Sequence, residues 1–205
     1  AFLNAMGNAL TLGFGAATSY LWTLPMFHCN GWSHTWAVTA AGGTHVCLDA
    51  VEPAAIFDLI SRHDVTDMCC APVVLYMLLA DPAAEGHRAR LAAGEAGRVA
   101  VGTGGAAPSA HLIEQLGTLG FDLTHLYGLT ESYGPASICQ TGEALAGASN
   151  ERKAAWLARQ GYRHATSGTI RIAATGGTGG DAPPDGETQG EILLRGNTLM
   201  AGYYR

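Results

Sequence analysis

His125-Leu126-Tyr127-Gly128-Leu129-Thr130-Glu131-Ser132-Tyr133-Gly134-Pro135 is the stretch on which the reading of this chain turns. The residues at 123–127 have strand character, and they run into a glycine, a hydroxyl and a carboxylate immediately after an aromatic ring. Such a turn holds the parts of a nucleotide site. Tyr127 can stack on a flat ring, Gly128 lets a ligand approach the backbone, Thr130 can bond a phosphate and Glu131 can hold a hard cation. The same residues also describe an ordinary surface turn, with Thr130 capping a helix and Glu131 at its favourable N-terminal end.

Working outward, the same alternation of strand and helix recurs. Residues 99–101 read as a strand running into Gly104-Gly105, and Pro108 and Ser109 open a helix with Leu112, Ile113, Leu116 and Leu119 on one face. Residues 65–70 form another short strand, and Pro72 opens an apolar helix to about residue 80 that should be covered on most sides. The connection 81–97 has no clear period. Toward the start, a helix over 2–17 leads into a strand at 20–24 that Pro25 closes. Residues 31–41 are helix-compatible, Gly42-Gly43 breaks them, and a buried strand is expected at 44–48. Pro53 suits a first helical turn ahead of Ile56, Leu59 and Ile60. The pattern predicts an α/β fold: a mainly parallel sheet with flanking helices built from βαβ units. After about residue 140 it changes to an Ala-rich stretch with a helix at 151–160. Short strands follow at 169–173 and 191–195, around an exposed loop at 176–189. The expected division is therefore 1–140, α/β, and 141–205, a helix and the start of a smaller β-rich subdomain. No internal repeat or long linker separates them.

Composition narrows the class. With 205 residues, 48% apolar and 14% charged, the chain has material for a sizeable core and is not of disordered type. Its 28 glycines are about twice the usual share and carry no repeat period, as tight turns and backbone-lined sites require. A net charge of -6 leaves no basic footprint for nucleic acid. No run approaches the roughly 20 apolar residues that span a bilayer. Five cysteines without disulfide-type spacing fit a reducing, cytoplasmic compartment. Ala1-Phe2-Leu3-Asn4-Ala5-Met6 lacks the charge and cleavage signature of a signal peptide. Both ends read as cut rather than finished.

Tyr127-Gly128-Leu129-Thr130-Glu131 resembles the nucleotide-binding motif of the AMP-forming acyl-CoA synthetases, the adenylating superfamily. Three further segments resemble that family in the right order. They are Leu24-Pro25-Met26-Phe27-His28-Cys29-Asn30-Gly31-Trp32, Thr103-Gly104-Gly105-Ala106-Ala107-Pro108, and Gly190-Glu191-Ile192-Leu193-Leu194-Arg195-Gly196 running on to Gly202-Tyr203-Tyr204. The nearest likeness is to the branch that activates fatty and medium-chain acids, methylmercaptopropionate among them. The resemblance implies an enzyme that takes a carboxylic acid, ATP, Mg2+ and CoA, and makes an acyl-CoA through an acyl-adenylate. It also implies that this chain is a central part of the large N-terminal domain. The family's phosphate loop with its lysine would lie before Ala1, and its ribose aspartate, hinge and catalytic lysine beyond Arg205. The chain by itself is then expected not to turn over.

The resemblance assigns roles residue by residue. Thr130, Glu131 and His28 would act on the reacting groups, with Glu131 the Mg2+ ligand. Gly104, Gly105, Ala106, Ala107, Pro108, Leu126, Tyr127, Gly128, Leu129 and Thr130 would line the nucleotide. Met26, His28, Trp32 and Gly104 would line the acid. Relatives often carry proline directly after Gly-Gly-Ala, whereas Ala107 intervenes here and shifts the adenine contact by a residue. Gly176-Gly177-Thr178-Gly179-Gly180 is glycine-rich but lacks a lysine and sits between β-type pieces, so it is rejected as a phosphate cradle. His28, Cys29 and His34, with Cys69 and Cys70, lack the paired spacing of a zinc site. Two rival readings stand beside the ligase: an adenylating enzyme that loads a carrier-protein thiol, and a non-catalytic nucleotide-binding remnant. Oligomeric state is not legible.

Overall fold

The computed structural model describes residues 1–104, 108–175 and 179–204. The first part of the chain runs α1 (Phe2–Leu12), β1 (Ser19–Trp22), the short turn α2 (Cys29–Trp32), α3 (His34–Ala40), β2 (Thr44–Cys47) and α4 (Pro53–Arg62). Then come β3 (Asp67–Cys70), α5 (Pro72–Ala80), α6 (Ala83–Ala92), β4 (Val99–Gly104), α7 (Ala110–Thr118) and β5 (Phe121–Leu129). The last part holds β6 (Gly134–Cys139), α8 (Asn150–Leu157), β7 (Tyr162–Arg163), β8 (Thr169–Ala174) and β9 (Gly190–Arg195).

Strands β1 to β7 form one seven-stranded sheet in the order β2-β1-β3-β4-β5-β6-β7. Pairing is parallel from β2 through β5, and antiparallel from β5 to β6 and from β6 to β7. Strands β8 and β9 pair antiparallel in a separate two-stranded sheet. The α/β, mainly parallel expectation matches this architecture.

The central strands are apolar on both faces because helices cover both. Alternate side chains divide the core in two. Leu21, Met68, Cys70, Val101 and Leu123 pack with the helices α4 to α8, through Ile56, Ile60, Leu75, Leu116 and Leu157. On the opposite face Tyr20, Trp22, Cys69, Leu126 and Ile138 pack with Val38 of α3 and with Leu12 and Phe14 at the end of α1. Each fully buried aliphatic side chain contributes about 1.5–3 kcal/mol by leaving water. The sheet is thereby a rigid platform for whatever its strand ends carry.

Several expectations need correction. Helix α1 stops at Leu12, since Gly13 adopts φ 74° and its N–H closes on Ala9 O. The strand expected at 44–48 is the sheet edge, with only Val46 buried. Helix α5 is open on one side, where Val73 is 61% and Tyr76 57% exposed. The connection 81–97 contains α6, hidden in sequence because its inner face is the small Ala84 and the polar His87. His87 stacks on Phe57 at 4.7 Å and donates from Nε2 to Leu119 O at 3.1 Å. Residues 31–41 are not one helix, because Ser33 at φ 65° separates α2 from α3. The buried strand β6 has no counterpart among the expected elements.

Candidate functional site

A cavity of about 620 Å3 lies beyond the carboxyl ends of β4 and β5, where open α/β sheets hold their ligands. One wall comes from the β5–β6 hairpin. Gly128 pairs with Pro135 and Leu129 with Gly134, after a bulge at Tyr127/Gly128. The connection is a 3-10 turn, Thr130–Ser132, followed by Tyr133 at φ 58° and Gly134 at φ 108°. Ser132 ties it shut: its Oγ accepts from Leu129 N at 2.9 Å and lies 2.8 Å from Gly134 O. Thr130 and Glu131 are left lining the cavity. Thr130 therefore caps no α-helix. A Cβ on Gly128 would sit 2.0 Å from Gly134 O and 2.8 Å from Pro135 Cα. That glycine is required by hairpin closure as well as by ligand approach.

The Glu131 carboxylate accepts from Tyr203 OH, and Met200 N donates to Glu131 O at 2.9 Å. The phenol holds the carboxyl below its ordinary range, and the carboxylate raises the Tyr203 phenol in return. Glu131 is thus an anion facing the cavity mouth. A single carboxylate beside a hydroxyl is a donor set that suits Mg2+, which keeps water and phosphate in the rest of its shell.

The facing wall follows β1 and has no regular structure. Residues 29–33 all take positive φ: Cys29 43°, Asn30 45°, Gly31 62°, Trp32 54° and Ser33 65°. Non-glycine residues seldom adopt this region and need outside support. The Asn30 amide supplies some, with Nδ2 donating to Met26 O at 3.2 Å and Oδ1 accepting from Tyr133 OH at 3.1 Å and Trp36 Nε1 at 3.0 Å. Ser33 Oγ donates to Tyr133 O at 3.2 Å. Trp32 swings toward the β4 end, its Cη2 only 3.3 Å from where a Gly104 Cβ would stand, with Leu126 O at 3.0 Å. Gly104 is needed for both approaches. Cys29 Sγ and Thr130 Oγ1 meet at 3.4 Å, joining the two walls.

The cavity gathers His28, Trp32, Gly104 and residues 126–131. His28 is exposed and stands in the turn well past Trp22, the last residue of β1, not at a strand end. Met26 is 41% exposed and is not part of the lining. Pro108 is buried and likewise outside it. Gly105, Ala106 and Ala107 lie outside the described residues, as do Gly176 to Thr178 of the rejected glycine run. Cys29, Gly134, Pro135, Gln160 and Ile192 also line the cavity without having been legible as lining in the sequence. Gln160 comes from far along the chain with no local signal, whereas Ile192 lies in the 190–196 segment, for which no lining role was expected.

Behind the β1 wall is a neutral polar core. His34 is fully buried, bonds Tyr20 OH through Nδ1 at 2.9 Å and lies 3.7 Å from Cys69 Sγ. Burial lowers its imidazole to about 3 and pushes the Cys69 thiol up to about 12. His28 and His34 have separate surroundings. Among the described residues no three His, Cys, Asp or Glu side chains gather as a metal would require.

The mainly parallel sheet with its antiparallel β5–β6–β7 end matches the fold of the large domain of adenylate-forming enzymes. The same fold occurs in O-succinylbenzoate coenzyme A synthetase from Bacillus subtilis in complex with ATP and magnesium ion. The TM-score is 0.73 at 24% identity, over 98% of this chain and 38% of that one. It occurs too in the inhibitor-bound N-terminal domain of FACL13 from Mycobacterium tuberculosis, with TM-score 0.78 at 22% identity, over 98% of this chain and 45% of that one. The sequence matches the AMP-binding enzymes over residues 1–204, and the chain belongs to that family. It is 40% identical to a peroxisomal butyrate–CoA ligase of Arabidopsis thaliana, over all of this chain and 35% of the relative. It is 38% identical to 4-hydroxybutyrate–CoA ligase 2 of Metallosphaera sedula, over all of this chain and 36% of the relative. The chain thus spans about a third of the length of these curated relatives. No helix among the described residues is long and apolar enough to cross a membrane.

Proposed function

We propose that this chain forms the acid- and nucleotide-binding face of an ATP-dependent acid–CoA ligase acting on an aliphatic carboxylic acid. The observation that carries the reading is the shared cavity in which Trp32, His28 and Gly104 face Tyr127, Thr130 and Glu131. An unactivated carboxylate is a poor acyl donor, because its oxygen leaves badly. Joining it to AMP, with diphosphate departing, supplies a good leaving group that the CoA thiol then displaces. Catalysis of this kind is largely positioning and charge neutralisation.

In this reading Tyr127 flanks adenine and Thr130 Oγ1 bonds a phosphate oxygen. His28 and Trp32 hold the acid beside Gly104, where the missing side chain leaves room. Glu131 and Thr130 stand where Mg2+ would be held, and that ion would neutralise phosphate charge. The relatives act on butyrate and 4-hydroxybutyrate by name, which favours a short or medium acid. The adenine contact falls to Gly104 and Tyr127, both of which line the cavity. The parts 1–140 and 141–205 belong to one large domain, and five free cysteines suit a reducing, cytoplasmic setting.

The test is acid-dependent release of AMP and diphosphate by the full-length protein, with CoA, across a panel of acids. AMP formation coupled to acyl-CoA supports the ligase. Adenylate formation that CoA cannot discharge points to a carrier-protein acceptor, and no nucleotide binding at all points to a remnant.

A further inference from the structure

Helix α1 carries two asparagines one turn apart, Asn4 and Asn8, and both are fully buried. The Asn8 amide uses its two N–H groups on different partners, Asn4 Oδ1 at 3.0 Å and Trp32 O at 2.9 Å. Asn4 Nδ2 in turn donates to Pro135 O at 3.0 Å, a carbonyl that His164 Nε2 also reaches at 3.0 Å. Trp32 and Pro135 both line the cavity. One side chain pair behind the site thus bonds the backbone of both walls.

The arrangement comes at a cost to stability. Asn8 Oδ1 is buried with no partner among the described residues, a penalty that an apolar residue at this place would avoid. Its donor ends where backbone support is needed, at a tryptophan held at φ 54° within five consecutive positive-φ residues. Of the hydrogen bonds that brace residues 29–33, this one engages Trp32 from helix α1 behind the site. Others come from Tyr133, Thr130, Trp36 and the neighbouring residues of the loop and α3.

We infer that Asn8 is a positioning residue for the acid pocket: it fixes the Trp32 backbone in the left-handed conformation that sets the indole over Gly104. It thereby decides which acids fit. The inference rests on the ligase reading. A merely structural asparagine would lower stability and scale every substrate alike. A positioning residue changes the choice among acids and leaves the nucleotide untouched.

The experiment uses the full-length protein with Asn8→Ala and with Asn8→Asp, which keeps the shape but removes the donors. His87→Gln on the far face serves as a buried-polar control. We expect kcat/KM for the preferred acid to fall about tenfold, the loss of one well-placed hydrogen bond. Preference over a longer acid should flatten, with the KM for ATP within about twofold of wild type. In a Trp32→Ala background the further effect of Asn8→Ala on selectivity should vanish. If both variants refuse to fold, Asn8→Ser, which keeps one donor, takes their place. Folded variants with wild-type selectivity, KM values for acid and ATP that rise together, or an equal shift in His87→Gln would each overturn the inference. A wild-type protein that forms no AMP with any acid would instead remove the ligase reading, and this inference with it.

Discussion

The two walls of the cavity are built on opposite principles. The β5–β6 wall is regular structure, in which ladder hydrogen bonds and the Ser132 clasp leave Thr130 and Glu131 only one place to be. The β1 wall is five residues in a left-handed conformation, held from outside by Asn8, Tyr133 and Trp36. A wall defined by its own backbone pairing suits a ligand that never varies, such as a nucleotide. A wall that depends on borrowed supports can be retuned by changing them, which suits a pocket whose acid differs among relatives. The comparison makes separate demands on substitutions in each wall.

The largest effect should come from Glu131→Gln. Removing the charge while keeping the shape should lower adenylation by on the order of 10^2–10^3-fold in the full-length protein, as loss of one preorganised electrostatic group does. Thermal unfolding should barely move, because the carboxylate is solvent-facing and its bond to Tyr203 OH can be kept by the amide oxygen. Wild-type turnover would remove the cation assignment. Next is Gly128→Ala, which drives a methyl into Gly134 O, 2.0 Å away. Backbone cannot yield as a flexible side chain does, so a loss of about 1–3 kcal/mol or more in chemical denaturation is expected. Nucleotide affinity should fall with it. Normal stability in the Gly128→Ala protein would show that the hairpin is not held shut at that point.

The two walls also differ in what a sequence can show. Alternating strands and helices carried the parallel sheet, because periodicity and Gly/Pro punctuation are local. Tyr127, Thr130 and Glu131 could be picked out as cavity-lining candidates because they are contiguous in one motif that resembles a family's. The hairpin was not, because Gly134 to Cys139 becomes a buried strand only through its pairing with β5 and β7. Helix α6 escapes a periodicity reading because a buried histidine stacked on Phe57 stands where an apolar residue marks most inner faces. The left-handed run is largely hidden. Only Gly31 and, less strongly, Asn30 among residues 29–33 advertise positive φ, and the supports lie from 24 to about 100 residues away in Asn8 and Tyr133.

Gly31→Ala tests the second wall as Gly128→Ala tests the first. The new methyl would lie 2.7 Å from two atoms of the Trp22 ring, in a residue at φ 62°. Left-handed backbone with a side chain costs about 1–2 kcal/mol, and the ring can shift to relieve part of the clash. The expected outcome is a modest drop in melting temperature with a several-fold weaker acid KM and an unchanged affinity for ATP. Equal loss of acid and nucleotide binding would mean that the walls are one unit and would break the comparison.

The last test concerns the neutral core behind the β1 wall, and it is read in pH, with no change in substrate choice expected. Burial lowers His34 from its ordinary 6.5 to about 3. Folded His34 therefore stays neutral between those values while the unfolded chain binds a proton there. With more protons on the unfolded state, stability is complete above pH 6.5 and falls as pH drops toward 3, by up to about 1.4 kcal/mol per pH unit for this group. Urea unfolding from about pH 7 to 4 should show that slope, and His34→Gln should reduce it because glutamine cannot take up the proton, with His45, His87 and His164, also lowered by burial, keeping the remainder. The replacement must still serve Tyr20 OH, 2.9 Å from His34 Nδ1, so a lower stability at neutral pH is expected as well. An unchanged slope in a folded His34→Gln protein would show that His34 binds its proton without unfolding. The imidazole would then be reached by water, and the core behind the left-handed wall would be looser than its packing indicates.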